Sequence, residues 1–270
     1  MPLPELADIR ATIDRANKNI DDLKVFLPRR ELTKETGDLA AIEMQADGKT
    51  YDIFIGAAPP STDLRMAIGD VIHGLRTALD HLAYRLALKN GFPAIGSRTP
   101  DDLKRLRKLS FLIHDDAQRF RSAAGNIEPL IGKPAVAEME KLQVYVGTDP
   151  RAPILRRLSE LDNITKHRTL AVLAQVLNRA DIDVTIGNQI IKGTVTGMAG
   201  ATLTDRTKLA SFVIEGLNFQ PQLGVNIASV LTMAFAETDG LCDGANVFHV
   251  MRDSVATVNS VVDDFEKLFL

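Results

Sequence analysis

Apolar positions recur at helical intervals along most of the first two thirds of the chain. Between 4 and 26, Leu6, Ile9, Ile13, Ile20 and Leu23 sit among charged residues, which predicts an amphipathic helix stopped by Pro28. The strongest stripe runs through 61–90, where Leu64, Ile68, Ile72, Leu75, Leu79, Leu82 and Leu86 step by 4, 4, 3, 4, 3 and 4. Asp63 falls in its first turn, Asn90-Gly91 offers a left-handed cap, and Pro93 confirms the stop. Further helices are predicted over 100–121, 135–145 and 153–177. In the first of these Leu103, Leu106, Leu109 and Ile113 face inward and Lys104, Arg105, Arg107 and Lys108 outward.

The period then changes from 3.6 to 2. Alternation over 39–46 and 50–55 around Asp47-Gly48-Lys49 predicts a hairpin, and 181–186 with 189–196 around Gly187-Asn188 predicts another. Strand-like runs follow at 208–214 and 225–236. Helical spacing returns over 246–269, with Val250, Val255, Val258, Val262, Phe265 and Phe269 near one stripe. The expected class is α+β: a helical bundle with β-hairpins or an antiparallel sheet and a closing C-terminal helix. No linker-like stretch interrupts the chain, so 1–270 reads as a single cooperative unit. Within it, 1–180 is mainly helical with a hairpin near 39–55, 181–245 is β-rich, and 246–270 is the last helix.

Composition narrows the function classes. Hydrophobic residues at 45% and charged residues at 25% are ordinary globular proportions and exclude a disordered tail, a fibre or a coiled-coil rod. The single Cys242 excludes an intrachain disulfide and any multi-cysteine metal site. The longest uncharged run, between Glu215 and Glu237, carries Asn218, Gln220, Pro221, Gln222 and Asn226 and is too polar for a membrane span. With no secretory pattern at the N-terminus, a soluble cytoplasmic protein is expected. Charge is unevenly shared: residues 1–180 hold 27 Lys and Arg against 24 Asp and Glu, whereas 181–270 hold 5 against 11. The first part can therefore present a basic face to an anionic partner, and unlike faces also favour self-association, so a homodimer is expected.

Signatures of phosphate-binding Gly-rich loops, nucleophile elbows, His-Glu-x-x-His metal sites and EF-hands are absent, and neither cofactor nor metal is expected. His114-Asp115-Asp116 reads as a solvated turn. The informative residues lie opposite the leucine stripe of 61–90: His73, Thr77, Asp80 and Tyr84, flanked by Arg76 and His81. An ordinary solvated face would be rich in Lys and Glu, yet neither occurs between Leu64 and Leu88. The 153–177 helix has the complementary anomaly, with Asp162, Lys166 and Thr169 on its inward stripe and Asn163 and His167 beside them. Charges on a core stripe are costly unless paired or facing a cavity. The two helices are therefore expected to face one another, bringing Arg76, Asp80 or His81 near Asp162, Lys166 or His167.

Arg76-Thr-Ala-Leu-Asp-His81 resembles the Arg-x4–6-His motif of the HEPN superfamily of helical-bundle proteins. Gly74-Leu-Arg-Thr-Ala-Leu-Asp-His-Leu-Ala, with Asp162-Asn-Ile-Thr-Lys-His-Arg168 downstream, also resembles a broad set of uncharacterised bacterial and phage proteins. The resemblance implies that Arg76 and His81 form the catalytic pair of a metal-independent endoribonuclease in a toxin or defence system, with RNA as partner and a dimer cleft as the site. His73, Asp80, Tyr84, Asp162, Asn163, Lys166 and His167 would then support catalysis or bind substrate. Two other readings stand beside it: a non-catalytic helical module that binds a nucleotide, an anion or a protein, and a purely structural polar network that fixes helix register.

Overall fold

The computed structural model describes residues 6–23, 31–32, 40–55, 60–93, 96–186, 189–196, 206–213 and 223–270. Pro28 and the Gly187-Asn188 turn lie outside them. The fold is α+β with a C-terminal helix, and the chain divides into two compact units, each assembled from separated segments.

The helical unit comprises Met1–Leu23, Met66–Leu170 and Phe248–Leu270. It contains α1 (Ala7–Leu23), α2 (Thr62–Lys89) from Met66 onward, α3 (Pro100–Leu106), α4 (Ala117–Ile131), α5 (Lys133–Lys141), α6 (Ala152–His167) and α7 (Val247–Phe269) from Phe248. The leucine stripe of α2 is buried along its whole length, as are Leu6, Ile9, Ile13, Ile20 and Leu23 at α1 and Val250, Val255, Val258, Val262 and Phe265 of α7. Burying a Leu or Ile contributes about 1.5–3 kcal/mol before the entropy of ordering is subtracted, so this apolar face holds α2 central. Arg10 ties α1 to α7 through Asp263 at 2.6 Å and Glu266 at 2.9 Å.

Two helix predictions are corrected. The 100–121 stretch is not one helix: α3 stops at Leu106, 109–114 runs without regular structure, and α4 starts only at Ala117. The assumed inward stripe fails because α3 buries no residue and Leu103 is 47% exposed. The core is instead served by Phe111 and Leu112 from the irregular segment, and Asp116 caps α4 by accepting the Arg119 amide at 2.8 Å. The 153–177 helix likewise ends at His167. Leu173 and Val176 belong to a strand, and Thr169 lies between the two elements.

The β unit comprises Lys24–Arg65 and Ala171–Val247. One antiparallel sheet has the order β1 (Glu31–Leu32), β7 (Leu223–Ala236), β4 (Ala171–Ile186), β5 (Gln189–Thr196). The other has the order β2 (Ala40–Met44), β3 (Thr50–Ile55), β6 (Thr207–Val213). Both predicted hairpins form, with Met44 opposite Tyr51 and Ile186 opposite Gln189. At the first, Gly48 takes φ +68°, and Asp47 accepts the Lys49 and Thr50 amides and the Thr50 hydroxyl. On the sheet, buried Asp52 is bonded by Lys208, Ser211 and Gln45, which hold its carboxyl below the usual carboxylate range, Lys208 most strongly. Among the described residues no helix is long and apolar enough to cross a membrane.

Candidate functional site

The helical unit brings the polar anomalies of α2 and α6 together along one seam. A Cβ on Gly69 would meet the Thr165 methyl at 3.3 Å, so the two helices approach closely there. One turn along, Asp162 Oδ1 lies 2.8 Å from His73 Nδ1. The pairs 69 with 165 and 73 with 162 make the helices antiparallel, and the seam continues toward Arg76 and Ser159.

Asp162 is 1% exposed, and its second oxygen accepts from Lys166 Nζ at 2.6 Å. A carboxylate cut off from water needs such donors. Because a carboxylate only accepts, the hydrogen of a neutral His73 sits on Nδ1, and Nε2 carries a free lone pair. The His73 side chain is 59% exposed, and its ring makes no other hydrogen bond among the described residues. This is the arrangement in which a buried acid fixes the tautomer and orientation of a base.

Arg76 and Asp80 turn elsewhere. Arg76 Nη2 donates to the Phe111 carbonyl at 2.8 Å, Asp80 Oδ1 accepts the Phe111 amide at 2.9 Å, and the two charged groups lie 2.9 Å apart. Buried Gln143 donates to the Leu112 carbonyl at 2.9 Å and accepts the His114 amide at 2.7 Å. Thus four backbone groups that would have been paired within a continuous helix are taken up by three side chains. The clasp accounts for an Arg–Asp pair on a helix face without Lys or Glu.

Next to the clasp lies a cleft of about 280 Å³, lined by Arg76, Phe111, His114, Asp115, Arg119 and Arg156 together with Ser110, Ser159, Glu160 and Asn163. Three guanidinium groups thus face two carboxylates. Asp115 is shared between Arg119 at 3.8 Å and Arg156 at 4.0 Å, and Arg119 also reaches Asp116 at 3.2 Å. His114 stands edge-on to Phe120 at 6.4 Å, and burial pulls its pKa below the ordinary histidine value against the opposing pull of Asp115 and Asp116.

Of the residues expected to carry function, His73, Asp162 and Lys166 form one group, Arg76 and Asp80 form the clasp, and Asn163 joins the cleft. Tyr84 accepts from Arg98, whose guanidinium stacks 5.4 Å over the Tyr84 ring. His81 and His167 are exposed and have no polar partner among the described residues. Five residues apart on one helix, Arg76 and His81 point about 140° from each other. The α2 side chain that reaches Asp162 is therefore His73, not Arg76, Asp80 or His81. Sequence reasoning missed Arg156, Ser159 and His114 as cleft residues. The spacing of Arg156, Ser159 and Asn163, at i, i+3 and i+7 of one helix, was the available signal. Among the described residues no group of three or more His, Cys, Asp or Glu is arranged to hold a metal.

Comparison with protein-family models, with curated proteins and with solved structures gives no match to this chain.

Proposed function

We propose that the helical unit is a metal-independent endoribonuclease, HEPN-like in its helical site, in which His73 is the proton-transfer group. The observation that carries this reading is the buried Asp162 bonded to Nδ1 of the largely exposed His73, with Asn163, the next residue along α6, lining a cleft that also holds three arginines. His73 Nε2 would take the proton of an RNA 2′-hydroxyl as its oxygen attacks phosphorus. The 5′-oxygen of the next nucleotide leaves with a proton from water, His73 gives its proton up to solvent, and the cut strand ends in a 2′,3′-cyclic phosphate. Cationic groups near the cleft favour the charge that develops on the phosphate. In this reading His81 is not a partner of Arg76 within one chain; their joint use requires a second copy, as a homodimer would supply. Action on RNA in a bacterial or phage toxin or defence system, in the cytoplasm, is the setting that goes with it.

A second reading, a non-catalytic binding module, is favoured by one specific observation: Arg76 is 12% exposed and committed to Phe111 and Asp80. Incubation of the purified protein with single-stranded and structured RNA separates the two. The ribonuclease reading expects cleavage that survives a chelator, yields cyclic phosphate ends and is lost in His73→Gln. Absence of cleavage by the wild-type protein, or equal cleavage by wild type and His73→Gln, overturns it and leaves the binding module.

A further inference from the structure

Five polar side chains around the α6 cleft are unspent. Ser110, His114, Arg156, Ser159 and Asn163 line it, and among the described residues none of their side chains makes a hydrogen bond. Arg156 Nε is shielded from solvent without a partner, and the nearest carboxylate oxygen, on Asp115, is 4.0 Å from its Nη2. Polar groups of this kind are ordinarily satisfied by protein or solvent, so their convergence on one concavity marks a place built to receive polar atoms.

Two of the three arginines of the cleft gather around one carboxylate. Arg119 and Arg156 both approach Asp115 and therefore share one end. Glu160 and Asn163 follow Arg156 by four and seven residues on the same helix, about 6 and 10.5 Å along its axis. Among the described residues Glu160 forms no ion pair, although Arg156 stands one turn before it on α6. A bare anion would gain from the arginines but would compete with Asp115 for them and meet Glu160 further along. A ligand with an anion at one end and hydrogen-bond donors at the other satisfies both ends. The volume, about 280 Å³, lies near the lower bound for small-molecule sites, which suits a single unit rather than a polymer segment.

We propose that this cleft binds one nucleotide, with its phosphate at Arg156 and Arg119 and its sugar hydroxyls or base donors at Glu160 and Asn163. The nucleotide is either free or one unit of an RNA strand; the recognising chemistry is the same. The inference extends the RNA reading above, but its test is binding at equilibrium, which does not require cleavage.

The test is calorimetric titration of the full chain with adenosine monophosphate, inorganic phosphate, adenosine and a single-stranded hexaribonucleotide. The nucleotide is expected to bind more tightly than either phosphate or adenosine, because each fragment fills one end only. A hexamer that binds no better than the mononucleotide points to a free nucleotide as the natural ligand; a tighter hexamer points to RNA. Arg156→Gln should weaken mononucleotide binding about tenfold through loss of a charge-assisted contact. Asn163→Ala, on an exposed position, should weaken it less, and Arg121→Gln, outside the cleft, should not change it. Thermal midpoints of all variants guard against unfolding, and Asn163→Ala carries the test should Arg156→Gln fail to fold. Equal affinity for phosphate and nucleotide, no binding at millimolar concentration, or affinity unchanged by Arg156→Gln and Asn163→Ala overturns the proposal. Arg156-dependent binding without RNA cleavage removes the ribonuclease reading and keeps this one. Cleavage with a KM indifferent to Arg156 and Asn163 does the reverse.

Discussion

Asp162 holds the Nδ1 of His73 at 2.8 Å across the α2–α6 seam while its other oxygen takes the Lys166 ammonium at 2.6 Å. The three groups differ sharply in exposure: the carboxylate is buried, whereas the His73 and Lys166 side chains are 59% and 50% exposed. Their contributions to stability should therefore differ as well. Asp162→Ala removes both contacts between the buried anion and its partners and is expected to cost about 2–4 kcal/mol. Lys166→Ala removes a half-exposed i,i+4 partner and should cost no more than about 1 kcal/mol. Urea unfolding with a common m-value checks this, and an Asp162→Ala cost as small as that of Lys166→Ala would refute the buried-anchor account.

The clasp on 111–114 yields a more local expectation. Gln143 is 1% exposed and bonds the Leu112 carbonyl, the Met139 carbonyl and the His114 amide. Gln143→Leu keeps apolar volume but strands the Leu112 carbonyl and the His114 amide, while the Met139 carbonyl keeps the Leu142 amide at 3.2 Å, so the cost is about 1–3 kcal/mol for each group left buried and unpaired. The same change should speed hydrogen exchange at the His114 amide by more than it does at Phe111, whose amide Asp80 still holds. Equal acceleration at both amides would mean that the segment opens as a block and that the three side chains do not act separately.

Long stripes were legible in the sequence wherever packing and period agree. The seven apolar positions of α2 are all buried, because a helix at the centre of a bundle must bury one whole face. The 109–114 segment was not legible, since its backbone is satisfied by side chains 29 to 35 residues away in sequence, and no local propensity encodes that. Leu173 and Val176 continue the helical spacing of Leu155 and Leu158, so period alone carried the expected helix past His167 into β4. The candidate site was half legible for the same reason. Polar residues out of place on α2 and α6 marked the seam, but the cleft depends on the path of 109–116, which the helix reading had hidden.

His81 gives a prediction that separates fold from function. It is exposed and has no polar partner among the described residues, so His81→Ala should change stability by no more than about 0.5 kcal/mol. If its pairing with Arg76 is made across two copies, mixing His81→Ala with Arg76→Lys should restore part of the RNA cleavage that each variant lacks alone. Sedimentation of the wild-type protein at micromolar concentration should then show a dimer. A monomer, or a mixture as inactive as its components, would leave His81 outside the reaction.

The last prediction concerns acid. Burial lowers the His114 pKa from its ordinary value of 6.5, overcoming the pull of Asp115 and Asp116 in the other direction and aided by Arg119 and Arg76. The unfolded chain therefore takes up a proton at this position before the folded chain does. Stability from His114 is present above about pH 6.5 and is lost as pH falls from there toward the lower folded value, below which no further loss accrues. Measured by urea unfolding between pH 7.5 and 5, the wild-type protein should lose stability more steeply than His114→Gln, which removes this group and leaves the other histidines in place. The neighbours should act with opposite signs. Asp115→Asn deletes a group that favours the charged ring, so the acid loss attributable to His114 should grow. Arg119→Gln deletes one that opposes it, so the loss should shrink. Identical pH slopes for wild type and His114→Gln would mean that the ring is solvated in both states and that the cleft wall is more open than its packing against Phe120 implies.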